Sequence, residues 1–400
     1  HAGNAALAAP RRRATSDRMP DGDGLTLTLH GAIAEIAAAD WDVCAGDANP
    51  FVSHAFLSAV EDSGSTGPRT GWVPRHAVLR DGAGQVVACA PAYLKGHSWG
   101  EYVFDQGWAR ALEGAGERYY PKWQVSVPFS PVPGPRLLIR PGAGVSAVGF
   151  AAALAETTER IGVSSCHVTF CTEAEWAAFG KAGWLQREGV QFHWHNAGYA
   201  DFDAFLAALA SRKRKQVRRE RREAAETGLT FRTVTGAEAT PAVWAAFHRF
   251  YLATVDKRWG SAYLTPKFWP LLGERLGARV VLMLAERDGE PVAGALNLRG
   301  ADALYGRNWG AVVDAPFLHF ELCYYRAIEF AIAHGIARVE AGAQGEHKIQ
   351  RGYVPVATYS AHHILHPGLR RAVAEFLGRE RPAMAAEREA LAAQSPYREG

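Results

Sequence analysis

The chain has 400 residues, of which 48% are hydrophobic and 21% charged, and its 44 Lys and Arg against 41 Asp and Glu leave a net charge of +3. That length predicts two or three domains at roughly 100–200 residues each, and the near balance of charge excludes a generally basic or acidic surface. Cys44, Cys89, Cys166, Cys171 and Cys323 form no CxxC pair and are odd in number, which excludes a disulfide framework and a zinc ribbon.

Residues 1–24, rich in Ala, Gly, Asp and Arg, are expected to be disordered, and they lack the apolar centre of a signal peptide. No apolar run reaches the roughly 18–20 residues of a transmembrane helix, so the cytoplasm is the expected location. Leu25–His30 alternates as a strand, and helices are expected at Ala32–Cys44 and after an N-capping Ser53. "RHAVLRDGAGQVVACAPAYLKG" reads as two strands around a glycine-rich turn. Further strands are expected at Val125–Pro128, Pro135–Ile139, His167–Phe170 and Val190–Asn196, with helices at Val145–Ile161 and Glu173–Lys181. One long helix, Phe202–Thr227, should then lead to a second series: strands at Leu229–Val234, Val280–Arg287, Pro291–Arg299, Ala303–Trp309 and Arg338–Ala341, with helices near Pro241–Val255, Pro266–Leu276 and Leu318–His334.

"AVLRDGAGQVVACAPAYLKGHSWGEYVFDQGWA" from Ala77 is echoed by "LMLAERDGEPVAGALNLRGADALYGRNWGA" from Leu282. Both predict strand, Arg-Asp-Gly turn, strand, turn and aromatic strand. The repeat implies two copies of one α/β unit, each a mixed central sheet flanked by helices, joined by the helix at 199–228. The expected domains are therefore 25–198, a linker helix 199–228, 229–367, and a helical tail 368–400.

"GHSWG" at Gly96–Gly100 matches a nucleophile elbow, but a strand pattern follows it where that motif needs a helix, so a hairpin turn is expected. His193 and His195 share a strand face, yet no carboxylate or cysteine near them in sequence completes a metal site. There is no GxxxxGK[ST] loop. The Arg/Gln-x-x-Gly-x-Gly/Ala loop of acetyl-CoA transferases is also missing, since the corresponding place reads "GAVVDAPFLHF".

The long helix carries "SRKRKQVRRERREAAE", Ser211–Glu226, in which a single acid, Glu220, interrupts the run from Arg212 to Arg222. Charged runs are ordinarily solvated. Here like charges at i,i+4 repel by a few tenths of a kcal/mol each, and the pattern points to phosphate binding by Arg214, Lys215, Arg218, Arg219 and Arg222. Tyr251, Trp259, Tyr263, Phe268 and Trp269 follow as candidate stacking residues for RNA. The other concentrated segment, "EAGAQGEHKIQRGYVP" at Glu340–Pro355, is a glycine-rich loop at a strand end, where α/β sheets bind ligands.

"LASRKRKQVRRERREAAETGLTF" and "FLHFELCYYRAIEFAIAHGIARVEAGAQGEHKIQRGY" resemble the linker and the terminal "FKxGF" segment of the FemAB-like peptidoglycan-bridge aminoacyltransferases. "SHAFLSAVEDSGS" and "YYPKWQVSVPFSPVPGPRLL" resemble that group's peptidoglycan biosynthesis/recognition branch, and the likeness spans about Leu25–Pro367. The resemblance implies tandem GNAT-like (acyl-CoA N-acyltransferase) domains, an aminoacyl-tRNA donor and a muropeptide amine acceptor. It places Lys348 on the lysine of the pattern and Gly352-Tyr353 on its Gly-aromatic end, with His347 standing where phenylalanine is usual.

These readings combine into an expected acyl or aminoacyl transferase with no bound cofactor, its donor being a co-substrate. Lys348 and the Gly342–Gly345 amides are expected to stabilise the oxyanion, and Glu346 or His347 to accept the amine proton. Arg307, Asn308 and Trp309, then Tyr305, Glu321 and Arg351, are the expected substrate contacts. The alternatives are an acyl-CoA- or acyl-carrier-dependent N-acyltransferase, and a non-catalytic protein that binds RNA or a cell-wall precursor.

Overall fold

The computed structural model describes residues 17–18, 24–257, 261–342 and 345–398. The segment 1–24 lies outside this description apart from Asp17, Arg18 and Gly24, and so does Trp259. Two compact units emerge: residues up to Gly189 with Thr358–Met384, and Val190–Ala357 with Ala385–Gly400.

The first unit opens with β1 (Asp17–Arg18), β2 (Thr26–His30), α1 (Ala38–Ala45) and α2 (His54–Asp62). Ser53 caps α2 as expected, its Oγ accepting from Phe56 N at 3.2 Å. There follow β3 (Trp72–Pro74), β4 (His76–Arg80), β5 (Val86–Ala90), β6 (Ala92–Lys95), α3 (Gln106–Gly114), β7 (Lys122–Val125) and β8 (Leu138–Ile139). α4 (Ala147–Arg160), β9 (Ser165–Cys171), α5 (Glu173–Lys181) and the start of β10 (Leu185–His195) complete this stretch. β1, β2, β4, β5 and β8 pair in that order, and β3, β6, β7 and β9 form a second series in which only β7 and β9 run parallel. Strand alternation separates two faces: Trp123 and Val125 of β7 join Phe150, Leu154 and Phe179 in an apolar core, while Lys122 and Gln124 point the other way.

The aromatic strand expected after "GHSWG" does not form. Glu101 and Asp105 turn inward onto Lys122, α3 starts at Gln106, and β6 takes β7 as its antiparallel partner instead. β7 thus fills the place in the first unit that the repeat assigned to the aromatic strand.

In the second unit the expected long helix is two helices, α6 (Phe202–Ala208) and α7 (Ser211–Ala225). Leu209 breaks it: the residue is extended (φ −76°, ψ 149°), fully buried, and bridged to Tyr397. Ala210 N donates to Pro396 O at 2.9 Å and Arg398 N to Ala208 O at 3.1 Å, so the C-terminal segment satisfies the backbone groups that the break exposes. β11 (Thr230–Thr235), α8 (Pro241–Lys257), α9 (Phe268–Leu276), β12 (Val280–Arg287), β13 (Glu290–Arg299) and β14 (Ala303–Ala311) follow. Next come α10 (Leu318–Phe320), a π-turn at Glu321–Tyr325, α11 (Arg326–Ala333) and β15 (Arg338–Glu340). The strand order is β11-β12-β13-β14-β15-β10, antiparallel except for β14 with β15. Asp288-Gly289 (φ 52° and 81°) closes the β12–β13 hairpin, the two-residue turn that suits strand twist. Ile328 and Ala331 of α11 pack with Phe205, Leu206 and Val217 of α6 and α7 and with Met283 and Ala295 of the sheet. α8 lies so close to β14 that a Cβ on Gly310 would sit 1.9 Å from Phe250 O.

β16 (Val354–Ile364) returns the chain to the first unit, where His362 pairs with His167 of β9. α12 (Pro367–Ala392) then packs Leu369, Val373 and Leu377 on Trp108 and Leu112. Among the described residues no helix is long and apolar enough to cross a membrane.

Candidate functional site

β14 and β15 pair through Ala303–Arg338, Leu304–Val339 and Tyr305–Glu340, and there the ladder stops while β14 runs on to Ala311. Just past that point β14 carries a bulge: Gly306 faces Asn297 and Asn308 faces Leu296, leaving Arg307 as the extra residue. Bulges of this kind re-aim a side chain beside a site. Gly306 also permits close approach, since a Cβ there would lie 3.3 Å from Glu340 O. Arg307, Asn308 and Trp309, the expected substrate contacts, therefore all lie on the part of β14 that β15 leaves uncovered.

After Glu340 the chain enters the glycine-rich loop, of which Ala343 and Gln344 lie outside the described residues. A 3-10 helix, Glu346–Arg351, follows and ends on left-handed Gly352 (φ 97°). Lys348 is 2% exposed, and its Nζ donates to Gly342 O at 3.0 Å. His347 and Glu346 are exposed. His347 Nε2 and the Tyr324 hydroxyl share a hydrogen bond of 2.9 Å, and burial of the ring, then Arg351 and Lys348, lower its pKa. His319 stands 4.7 Å from the Trp309 ring and 6.3 Å from His347, so an aromatic row joins the uncovered strand to the loop. Tyr305 is buried, which pushes its hydroxyl pKa up.

Two expected substrate contacts have other partners. Arg351 is 4% exposed and grips Glu220 of α7 with two hydrogen bonds, 3.1 and 2.9 Å. Glu321 is buried between Arg221 (3.0 Å) and Arg326 (3.1 Å). Both are held by α7, which presents Glu220 and Arg221 inward. The phosphate-binding candidates stay outward. Lys215, Arg218, Arg219 and Arg222 are exposed and Arg214 half-buried. Arg218, Arg219 and Arg222 make exposed pairs of 3.4–3.8 Å with Asp203, Glu223 and Glu226. Such pairs contribute little and leave the charge available.

Sequence reasoning missed Glu340. It ends β15 yet is 3% exposed, and burial pushes its carboxyl up to about 7 against the pull of Arg338. It also missed a polar cluster in the first unit: fully buried Lys122 donates to Glu101 (2.6 Å), Ser98 (2.9 Å) and Asp105, and Asp105 also accepts from Tyr119 (2.6 Å). The signal there was a strand, "KWQV", in which Lys122 and Gln124 alternate with Trp123 and Val125. Among the described residues, no group of three or more His, Cys, Asp or Glu could hold a metal ion.

The fold is that of tandem GNAT-like units, with a strand gap and a glycine-rich loop in the second. The chain belongs to the FemAB-like family, described by peptidoglycan biosynthesis/recognition, whose model matches residues 32–399. Solved structures of similar fold include the C-terminal domain of a putative lysylphosphatidylglycerol synthetase from Agrobacterium fabrum, 11% identical with TM-score 0.54, covering 86% of this chain and 95% of that one. FemX is 10% identical with TM-score 0.53, covering 86% and 99%. L-PGS from Bacillus licheniformis is 10% identical with TM-score 0.51, covering 83% and 98%. No curated protein matches the chain in sequence.

Proposed function

We propose that the protein is an aminoacyl transferase whose second unit moves an aminoacyl group from aminoacyl-tRNA to the amine of a peptidoglycan precursor. The observation that carries this reading is the end of the β14–β15 ladder at Tyr305–Glu340, with the Lys348 loop directly after it. A donor laid along Gly306–Trp309 brings its carbonyl to this loop. Lys348 then stabilises the oxyanion as the amine attacks, a buried charge acting with little competing water. The outward face of α7, from Arg214 to Arg222, supports a donor rich in phosphates. Family membership supports the precursor as acceptor.

The test is transfer from labelled aminoacyl-tRNA, and in parallel from labelled acyl-CoA, to purified precursor amines. The expected result is turnover with aminoacyl-tRNA that Lys348→Ala lowers at least about 100-fold, the usual scale for one oxyanion-stabilising group. Turnover with acyl-CoA alone would replace the donor. Wild-type turnover by Lys348→Ala would remove Lys348 from the mechanism.

A further inference from the structure

A carboxylate at a strand end would ordinarily face water, whereas Glu340 is 3% exposed. Its Oε1 accepts from Arg338 Nε at 2.8 Å, while its Oε2 has no hydrogen-bond partner among the described residues and stands 3.8 Å from His193 Nε2. An unpartnered buried carboxylate oxygen is costly, more than a neutral group in the same place. Here the cost falls on the last residue that pairs with β14, where the two strands part.

The surroundings restrict what that oxygen can accept. His193 faces it across β10, and burial, with Arg338, His195 and Lys348 adding to it, lowers its pKa to about 3, so the imidazole is neutral near pH 7. Tyr305 faces it from β14, and its raised pKa keeps the hydroxyl protonated. Arg338, on the same strand, is shared with Asp302 of the turn before β14. Lys348 is turned to Gly342 O. Arg338 clamps one oxygen, and among the described residues the other is left without a donor.

The geometry points to Glu340 as the general base that receives the acceptor's ammonium group at Oε2 and takes its proton. This rests on the transfer reaction proposed above. The carboxylate removes one proton from R–NH3+, and the neutral nitrogen attacks the donor carbonyl carbon and forms the C–N bond. The ester C–O bond breaks with its electron pair on oxygen. The second nitrogen proton leaves with that hydroxyl, and Glu340 returns its own proton to water. The substrate class follows: a primary amine that arrives charged.

Glutamate labelled with 13C at the side-chain carboxyl reports on Glu340 without any donor. The wild-type spectrum should show a carboxyl titrating near neutrality that is absent in Glu340→Gln and that shifts on adding butylammonium. In transfer assays, kcat/KM should rise with pH through that titration. Glu340→Gln should lose about 100-fold or more and the acid limb with it, the scale of a lost general base, while Glu340→Asp retains the limb. A Glu340 carboxyl that titrates below pH 5 and ignores butylammonium would overturn the assignment, as would a Glu340→Gln enzyme with wild-type rate and acid limb. A wild-type protein that transfers nothing, yet shows the neutral, ammonium-sensitive carboxyl, would overturn the proposed reaction and leave Glu340 as an ammonium-binding group.

Discussion

Glu220 and Arg351, 131 residues apart, form a buried two-pronged ion pair in the second unit. Glu220 is the lone acid of the basic run, and it also accepts hydrogen bonds from Gln216 (2.9 Å) and from the Tyr325 hydroxyl. Arg351 in turn donates to His347 O at 2.7 Å and lies over the Phe320 ring. The pair therefore ties the 3-10 helix that carries Lys348 to α7. Removing one partner strands a buried charge, so Glu220→Ala is expected to cost about 3–5 kcal/mol. Replacing both by Met should recover much of that loss in a denaturant titration, because two apolar side chains leave no charge unpaired.

The same helix separates structural from solvent-facing charge. Arg221 donates to Glu321 and Glu329 and covers Phe202, so Arg221→Ala should lower the melting temperature and leave phosphate binding unchanged. Arg214→Ala with Lys215→Ala should do the reverse. Anisotropy with labelled tRNA at a series of salt concentrations should show a log K–log salt slope shallower by about one to two, with melting unchanged. Melting that drops with Arg214 and Lys215 would place them in the fold instead.

Much of this was legible in the sequence wherever a residue's chemistry acts locally. Asp288-Gly289 announced its hairpin, Ser53 its helix start, and the echoed segments two copies of one unit. The basic run announced a concentration of charge, but a run does not say which members turn inward. That depends on Glu321, Glu329 and Arg351, which only folding brings to α7. Leu209 reads as a helix former, and its extended backbone comes from pairing with a chain segment near Tyr397. Glu340 reads as an ordinary strand-end carboxylate, because its burial is imposed by β10 and β14 from distant parts of the chain.

Two glycines test how tightly the site is held. A Cβ on Gly310 would sit 1.9 Å from Phe250 O, a backbone atom that cannot move without shifting α8. Gly310→Ala should therefore cost about 1–3 kcal/mol or more from overpacking and lower the melting temperature. Gly345 combines φ +117° with a would-be Cβ 2.4 Å from the His347 ring. Its replacement by Ala should lower the melting temperature, since an L side chain is strained at that φ, and should displace His347 from Tyr324. The His347 imidazole signals in NMR would report that change.

Glu340 also predicts a stability signature that needs no substrate. Its folded pKa, about 7, lies above the ordinary 4.5. A carboxyl raised in this way favours folding while protonated, so its contribution is complete below pH 4.5 and is lost as the pH rises through 7. His193 works in the opposite sense: its folded pKa of about 3 lies below 6.5, so its contribution is present above 6.5 and is lost as the pH falls toward 3. The wild-type profile mixes both, and the difference between wild type and Glu340→Gln isolates the carboxylate. The variant should match wild type near pH 4.5 and exceed it at pH 8 by up to about 3 kcal/mol, taking 1.36 kcal/mol per pKa unit. Denaturant midpoints at these two pH values measure it, and a constant difference between them would mean that Glu340 titrates normally.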